Sequence, residues 1–264
     1  QTYSSFGHTL ECDLGDGFPL LTTKKMFWKG ICHELFFFLR GQTDTKILKD
    51  EGVCIWNENT TKEFQNSVGL GDLTEDLMGP MYGYQWRHFG QPYCMNTGKP
   101  ILGSQPKEAD QLQCLIDNIR SDPYSRRHIM TTYNPTQKGV LYPCHSLVIQ
   151  FYVEADDRLS VQMYQRSADY FLGLPFNIAS TALLCHIVAH CVHRRVGRMI
   201  LSLGDVHIYE HHVSSVLQQQ DRIPHSLPNL YIRNDTHDID SLTFDDVELD
   251  SYFSFKPIKA KMIP

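Results

Sequence analysis

A single cysteine close to several cationic residues is the part of this sequence best suited to covalent chemistry. Cys144 follows Pro143 and precedes His145, and the pair Arg126 and Arg127 lies a short distance upstream. The thiolate form of cysteine is the nucleophile, and neighbouring positive charge favours that form. The sequence therefore predicts Cys144 as the nucleophile of a covalent enzyme.

Three arginines are candidates for binding an anion beside that cysteine. Arg126 and Arg127 are adjacent, and Arg166 stands at the end of a predicted hairpin strand, directly before Ser167. A guanidinium group can bind phosphate through two hydrogen bonds, whereas a pair of arginines can also be a solvated helix end. Together with Cys144, the arginines indicate a substrate that is a phosphorylated ring.

Two polar residues occur inside apolar stretches. Asn177 lies between Phe176 and Ile178, and a buried amide without a partner costs about 1–3 kcal/mol, so we expect it to cap a helix or bind a ligand. An amide matches O4 and N3–H of uracil and mismatches cytosine. Glu34 lies in a helix rich in Phe and Leu, where a buried carboxylate is paired or catalytic.

Two further groups of polar side chains follow regular spacings. Asp205, His207 and Tyr209 alternate on a predicted strand and share one face, which is either a simple polar face or a site for a sugar hydroxyl. His186 and His190 stand four residues apart on a predicted helix, but the glutamate of the HExxH pattern is missing. We therefore predict no metal site.

Composition limits the class of protein. The chain has 264 residues, enough for one large domain, and its net charge of -6 argues against a general nucleic-acid binder. Its eight cysteines form no CxxC pair, which favours free thiols in a reducing compartment. We see no signal peptide and expect no membrane span, so the cytoplasm is the predicted location.

The pattern of apolar residues predicts one mixed α/β domain. A β-hairpin is indicated because residues 147–153 are β-prone and Leu159, Val161 and Met163 alternate with polar residues after a turn. A strand is predicted at 199–208, and surface loops at 57–80 and 89–107. Helices are predicted over residues 26–39, 42–52, 108–120, 178–193 and 209–222.

Short motifs stand along almost the whole chain: Phe18-Pro19-Leu20-Leu21-Thr22-Thr23-Lys24-Lys25, Gly79-Pro80-Met81-Tyr82-Gly83, Gln85-Trp86-Arg87-His88-Phe89-Gly90, Pro143-Cys144-His145, Gln165-Arg166-Ser167 and Gly204-Asp205-Val206-His207-Ile208-Tyr209. In this order they resemble the thymidylate synthase family. The resemblance implies one catalytic domain over residues 1–264, of α/β (α+β) class, with a mixed bent β-sheet, flanking helices and dimerisation through the sheet face.

The same resemblance implies an activity: reductive methylation of dUMP to dTMP, with 5,10-methylenetetrahydrofolate giving one carbon and a hydride, and no metal. Cys144 would attack C6 of the pyrimidine. The implied catalytic residues are Cys144, Glu34, Tyr82, Asn177, Asp169 and Arg166. The implied dUMP-binding residues are Arg126, Arg127, Arg166, Ser167, Asn177, His207 and Tyr209, with Arg126 and Arg127 donated by the partner subunit of a homodimer. The implied folate-binding residues are Lys24, Trp56, Asn59, Asp169, Leu172, Gly173 and Phe176.

Departures from the family pattern leave alternatives open. Tyr142 and Thr181 replace other residue types, the carboxyl end is Met262-Ile263-Pro264, and an arginine loop is expected before Gln1. One alternative is a dUMP 5-hydroxymethylase, in which water captures the methylene group; dCMP is disfavoured by Asn177. Another is a catalytically idle member that binds RNA or a protein, which the acidic balance and the intact Cys144 argue against.

Overall fold

The computed structural model describes residues 1–101, 103 and 106–261. They form a single domain built on a five-stranded mixed sheet with flanking helices, as predicted. The strands are β1 (Thr2–Asp13), β2 (Ile129–Thr131), β3 (Val148–Val153), β4 (Arg158–Asp169), β5 (Arg195–Tyr209), β6 (Asn229–Ile232) and β7 (Val247–Asp250). The helices are α1 (Trp28–Leu39), α2 (Lys46–Asp50), α3 (Lys62–Ser67), α4 (Gly83–His88), α5 (Gln111–Ser121), α6 (Gly173–Cys191) and α7 (Val213–Gln220).

The main sheet has the strand order β1-β5-β4-β3-β2, and β6 pairs with β7 separately. Only β4 and β5 run parallel, while the other neighbours are antiparallel. The predicted hairpin is confirmed as β3 and β4. A parallel pair requires a crossover, and α6 supplies it between β4 and β5. The carboxyl ends of β4 and β5 therefore lie side by side.

One face of the sheet is covered and the other is open. Along β3, Ile149, Phe151 and Val153 are buried, whereas Val148 and Tyr152 alternate with them and are exposed. Helix α6 is apolar on all sides because it fills the core. By length and composition it could cross a membrane, but 83% of its apolar window is buried inside the protein, which makes it a core helix.

Several predicted elements need correction. The region predicted as a loop at 57–80 contains α3, which begins because the Thr61 side chain accepts from the backbone N–H of Phe64 at 3.2 Å. Strand β1 and helix α4 were not predicted at all. Strand β1 is exposed from Thr2 to Thr9, so its sequence lacks the alternation of a half-buried strand.

The predicted helix at 209–222 is shorter, because β5 continues to Tyr209 and α7 begins at Val213. The carboxyl end Met262-Ile263-Pro264 lies outside the described residues.

Candidate active site

Cys144 lies beside the hydroxyl group of Tyr82. The Cys144 sulfur is 3.6 Å from that hydroxyl, which also accepts a hydrogen bond from the Cys144 backbone N–H at 3.2 Å. The ring of Tyr82 stacks between Phe38, at 4.9 Å between centroids, and His145, at 4.6 Å. Tyr82 has a φ of 45°, a backbone conformation that costs free energy in a non-glycine residue. The surrounding fold therefore holds this tyrosine rigidly against the sulfur.

Of the neighbouring cations expected to favour the Cys144 thiolate, Arg166 does so, but burial outweighs its effect and His145 carries no charge. His145 is buried and stacked on Tyr82, and burial lowers its pKa to about 4, so the imidazole is neutral. Burial also raises the pKa of the Cys144 thiol, against the lowering effects of the Tyr82 hydrogen bond and the Arg166 charge. The thiol form is favoured because desolvation outweighs the neighbouring charge.

Arg166 is the cation whose charge lowers the pKa of the Cys144 thiol. Its Nε donates to the carbonyl of Pro143 at 2.8 Å, and its Nη2 donates to the carbonyl of Tyr142 at 2.9 Å. These bonds join β4 to the loop that carries Cys144, and the Arg166 N–H also donates to the Cys144 carbonyl at 2.9 Å. Arg166 thus positions the cysteine loop while keeping an exposed side chain.

Glu34 projects from α1 toward the same cluster and is buried. The indole N–H of Trp56 donates to its Oε1 at 2.8 Å. Burial raises the pKa of Glu34 to about 7, and the Trp56 bond only partly opposes this rise. The negative charge of Glu34 in turn raises the pKa of Tyr82 and of Cys144, which places the three groups in one electrostatic neighbourhood. Glu34 is thus buried and hydrogen-bonded to Trp56, and its expected catalytic role stays a prediction.

Asn59 lies close to this cluster along the chain. It ends a short 3-10 turn, where its backbone N–H donates to the carbonyl of Trp56 at 3.1 Å, and its side chain is buried. The turn thus holds the backbone of Asn59 to that of Trp56, whose indole binds Glu34.

Asn177 has the buried partner that the sequence demanded. Gln165 donates from Nε2 to Asn177 Oδ1 at 2.8 Å and to the carbonyl of Ser167 at 3.0 Å. The sequence analysis placed Gln165 in a motif but gave it no role in the site. A signal was present, because Gln165 continues the buried positions Val161 and Met163 of β4 and is the first polar residue among them.

The parallel register of β4 and β5 brings the next group of polar side chains together. Ser167 pairs with Asp205, and Asp169 pairs with His207. His207 Nδ1 lies 3.1 Å from Asp205 Oδ1, and its ring meets Tyr209 edge-on at 5.3 Å. The predicted shared face of Asp205, His207 and Tyr209 is therefore confirmed.

Asp169 ends β4 and organises the start of α6. Its Oδ1 accepts from the backbone N–H of Phe171 at 3.0 Å and of Leu172 at 3.3 Å. Gly173 is the first residue of α6, and a Cβ built on it would lie 3.5 Å from Asp169 Cβ, an ordinary contact. Phe176 is half-buried and packs against the core on the same turn. These residues connect the end of β4 to the first turns of α6, where Asn177 lies.

Lys24 is buried beneath the loop that follows Asp169. Its ammonium group donates to the carbonyl of Phe171 and lies 3.6 Å from the centroid of the Phe171 ring. Burial lowers the pKa of Lys24 to about 8, although the charge of Asp169 acts in the opposite direction. In this structure Lys24 therefore supports the Asp169 loop.

Two groups singled out in the sequence lie apart from this cluster. Arg126 and Arg127 are exposed in the loop before β2, and no contact recorded among residues 1–101, 103 and 106–261 joins them to Cys144. His190 Nε2 pairs with the carbonyl of Thr236 at 2.8 Å, and burial lowers the pKa of His186 to about 4. Within the described chain, no group of three His, Cys, Asp or Glu side chains is arranged to hold a metal ion.

The sequence was compared with known families and proteins. The family model described as thymidylate synthase matches residues 1–264. The chain is 42% identical to a bifunctional dihydrofolate reductase-thymidylate synthase of Zea mays, over 99% of this chain and 49% of that protein. It is 43% identical to a thymidylate synthase of Candida albicans, over 94% of this chain and 84% of that protein. It is also 43% identical to a thymidylate synthase of Human herpesvirus 8, over 99% of this chain and 76% of that protein.

The length of the match differs between relatives, since this chain spans about half the length of the bifunctional ones. The match covers this chain from end to end, in agreement with the resemblance of its motifs. The chain belongs to the thymidylate synthase family.

Proposed function

We propose that this protein converts dUMP to dTMP by reductive methylation, with 5,10-methylenetetrahydrofolate as the second substrate. Membership of the family supports this activity, and the names of the relatives do not favour the hydroxymethylase alternative. The observation that carries the proposal is the contact between the Cys144 sulfur and the Tyr82 hydroxyl, 3.6 Å apart and close to the buried carboxyl of Glu34. A nucleophile and two groups able to move protons thus meet at one point.

The first step requires the Cys144 thiolate. Burial disfavours that anion here, so the thiol must give up its proton to solvent as the sulfur adds to the bound nucleotide. The sulfur then bonds to C6 of uracil, and the electron pair of the C5–C6 double bond moves toward C5 and O4. The charge of Arg166 already acts to lower the pKa of Cys144, and it stabilises the anion further once the cysteine ionises.

Glu34 and Tyr82 handle protons in the following steps. A carboxyl group with a pKa of about 7 can hold or release a proton near neutral pH, so Glu34 serves O4 as the charge on that oxygen changes. The C5 proton passes to a solvent water that the Tyr82 hydroxyl orients from the position fixed by Phe38 and His145. The hydroxyl is not itself the base, because burial raises its pKa well above 10. Cleavage of the sulfur–C6 bond at the end restores the C5–C6 double bond and frees Cys144.

The folate supplies the carbon and the hydride that together become the methyl group. The residues present fit such a ligand, because the half-buried Phe176 offers apolar surface and Asp169 offers a carboxylate for the N–H groups of a pterin, while the buried Trp56 backs this side through Glu34. Leu172, Gly173 and Asn59 complete the folate side, and Lys24 supports it from beneath the loop.

Asn177 reads the edge of the base. Its Oδ1 is engaged by Gln165, so its amide N–H group is oriented to donate to O4 of uracil. Cytosine presents an amino group at that position, and two donors would then face each other. This arrangement favours dUMP over dCMP.

The sugar and phosphate fit the remaining polar residues. His207 and Tyr209 lie at the end of β5, where they bind the 3'-hydroxyl, and Ser167 and Arg166 bind the phosphate. Arg126 and Arg127 complete the phosphate site from the partner subunit, since they are exposed and do not contact their own Cys144.

A homodimer formed through the open face of the sheet accounts for the exposure of large side chains there. Val148 and Tyr164 are paired in register, and Tyr164 is 40% exposed and Tyr152 56% exposed. Apolar and aromatic surface of this kind marks a protein interface.

The eight cysteines are all free thiols, which supports a location in the cytoplasm.

The identity of the product tests the proposed function. The protein is incubated with dUMP and 5,10-methylenetetrahydrofolate, and the nucleotide is identified by mass spectrometry. We expect dTMP together with dihydrofolate, and we expect dCMP to remain unchanged. A product of 5-hydroxymethyl-dUMP would instead establish the hydroxymethylase, and no product at all would favour an idle binding protein.

A further inference from the structure

Residues on both sides of the contact between Cys144 and Tyr82 have a strained backbone. Tyr82 itself has a φ of 45°, and Ser146, two residues after Cys144, has a φ of 58°. Both residues are buried. Such a conformation costs free energy in a non-glycine residue and persists only where the surrounding structure holds it. Contacts around both residues must therefore stabilise these conformations.

On the tyrosine side, Trp86 has a fixed position relative to Tyr82. Helix α4 begins directly after Tyr82, and the backbone N–H of Trp86 donates to the Tyr82 carbonyl at 3.2 Å. The buried indole meets the ring of Phe38 edge-on at 6.0 Å between centroids, and the same Phe38 ring stacks on Tyr82. A group that binds the indole of Trp86 therefore also fixes Tyr82.

On the cysteine side, Ser146 joins the loop to the same tyrosine through His145. The Oγ of Ser146 lies 2.9 Å from Nδ1 of His145, whose ring stacks on Tyr82. Among the described residues Nδ1 is the one partner recorded for this Oγ, and a buried hydroxyl hydrogen without an acceptor is costly. The hydroxyl therefore donates to Nδ1, and the proton of the neutral imidazole stands on Nε2.

The hydroxyl of Thr132 connects the two sides. Its Oγ1 accepts from the indole N–H of Trp86 at 3.0 Å and donates to the carbonyl of Ser146 at 2.6 Å. An indole N–H can only donate and a carbonyl can only accept, so both directions are fixed. Thr132 is 1% exposed, so water does not compete for these bonds. One buried hydroxyl thus links the helix that follows Tyr82 to the loop that carries Cys144.

We propose that Thr132 is a positioning residue that holds the sulfur of Cys144 against the hydroxyl of Tyr82. Thr132 touches no reacting atom, and its effect is exerted through Trp86 and Ser146. The placement of the sulfur rests on the contacts alone. The consequence for turnover rests on the proposed function, because Cys144 is assigned there as the nucleophile.

Three variants isolate the hydroxyl. Thr132→Val keeps the shape of the side chain but leaves the N–H of Trp86 and the carbonyl of Ser146 buried and unpaired. Thr132→Ser keeps the hydroxyl. Thr131→Val is the matched control: it removes the bond from Thr131 Oγ1 to the carbonyl of Leu147, which still accepts from the backbone N–H of Thr132 at 3.2 Å.

Alkylation by iodoacetamide reports the position of the sulfur in protein without substrates. The hydrogen bond from Tyr82 lowers the pKa of the Cys144 thiol, so a weaker contact leaves less thiolate. We expect alkylation of Cys144 at pH 8, followed by mass spectrometry of its peptide, to be about threefold slower in Thr132→Val. Thr132→Ser and Thr131→Val should match wild type, and the exposed Cys54 serves as the reference in each sample.

Steady-state kinetics report the consequence for turnover. We expect kcat for dTMP formation to fall about fivefold in Thr132→Val and to stay close to wild type in Thr132→Ser and Thr131→Val. The dissociation constant of dUMP should be unchanged in all three variants, because none of them alters a residue assigned to the phosphate or the sugar.

Three results would overturn the inference. An unchanged alkylation rate in Thr132→Val would show that the hydroxyl does not place the sulfur. Faster alkylation would show a general loosening that exposes the thiol, and equal effects of Thr132→Val and Thr131→Val would show a general weakening of β2. Failure of the wild-type protein to form dTMP would refute the proposed function separately, since the alkylation comparison requires no turnover.

Discussion

The two ends of the parallel strands β4 and β5 carry polar side chains with opposite arrangements. At the amino ends, Arg158 binds Asp13 at 2.8 Å and Arg198 binds Glu154 at 3.0 Å. At the carboxyl ends, side chains such as Asp169 meet backbone N–H groups, aromatic rings and other buried polar groups. The same two strands therefore support a set of ion pairs at one end and the proposed site at the other.

The difference appears in the direction of the pKa shifts. The Arg158 guanidinium holds the pKa of Asp13 below its ordinary value, which fixes the charge at neutral pH. Around the proposed site, burial raises the pKa of Glu34 to about 7 and lowers that of Lys24 to about 8. Ion pairing thus moves the pKa of Asp13 away from neutrality. Burial moves the pKa values of Glu34 and Lys24 toward neutrality, although it moves those of Cys144 and His145 away from it. Proton transfer requires a pKa near neutrality.

The largest effect should come from the nucleophile. We expect Cys144→Ala to lower kcat/KM by about 10⁴-fold or more, as removal of a covalent nucleophile does, with little change in stability. The matched control is Cys185→Ala, which alters a cysteine buried in α6. That variant should lose about 1–2 kcal/mol in the free energy of unfolding and keep its turnover per folded molecule. Substantial dTMP formation by Cys144→Ala would contradict the covalent mechanism.

Glu34→Gln should reduce kcat by roughly 10²–10³-fold, because an amide cannot exchange the proton that O4 requires. The free energy of unfolding should rise in this variant even though its activity falls. The pKa of Glu34 rises from 4.5 to about 7 on folding, so its contribution is complete below pH 4.5 and is lost as the pH rises through 7. Above pH 7 we expect the free energy of unfolding of Glu34→Gln to exceed that of wild type by about 3 kcal/mol at most, so that the variant unfolds at a higher urea concentration.

Urea titrations at pH 5 and pH 8 check this prediction. The two proteins should differ much less at pH 5 than at pH 8. An equal difference at both values would show that Glu34 is not the titrating group.

The substitution Asn177→Asp should change the preference of the protein between dUMP and dCMP. One carboxylate oxygen can still accept from Gln165, while the other repels O4 of uracil and can accept from the amino group of cytosine. We expect kcat/KM for dUMP to fall by about 10²-fold and the preference to shift toward dCMP. Competition assays with both nucleotides measure the preference directly, and an unchanged ratio would refute the role of Asn177.

The smallest effect on activity is expected at the opposite ends of the strands. Asp13→Asn keeps an acceptor for the N–H of Gly15 but loses the charge that Arg158 binds. The pKa of Asp13 is lowered on folding, so its contribution is present above its ordinary value of 3.8 and is lost as the pH falls through the folded pKa. The variant should be slightly less stable at pH 7 and differ least in strong acid, with unchanged kcat/KM.

Thermal unfolding at pH 7 and pH 3, together with the dTMP assay, measures these quantities. A large loss of activity in Asp13→Asn would remove the distinction between the two ends.

The sequence predicted the strands and helices that bury one face, because their apolar and polar residues follow a regular spacing. The β3–β4 hairpin alternates apolar and polar residues, and its position was confirmed. Strand β1 was missed because its backbone pairs with β5 while its side chains from Thr2 to Thr9 stay exposed. Short helices such as α3 depend on a capping side chain and on local packing, so periodicity does not reveal them.

The residue types of the site were visible in the sequence, but their mutual orientation was not. The sequence placed His145 beside Cys144, yet the ring turns to stack on Tyr82 and is neutral. The contact between Tyr82 and the sulfur depends on a backbone φ of 45° that no sequence pattern specifies.

The parallel pairing of β4 and β5 also determines when the chain can fold during its synthesis. Their register cannot form until α6 has been synthesised and has crossed the sheet, and Glu34 must then meet residues more than a hundred positions away in sequence. Such non-local contacts form late and slowly. A nascent chain on the ribosome should therefore be unable to bind nucleotide until most of it has emerged, and in the finished protein a bound nucleotide should protect the entire domain from unfolding.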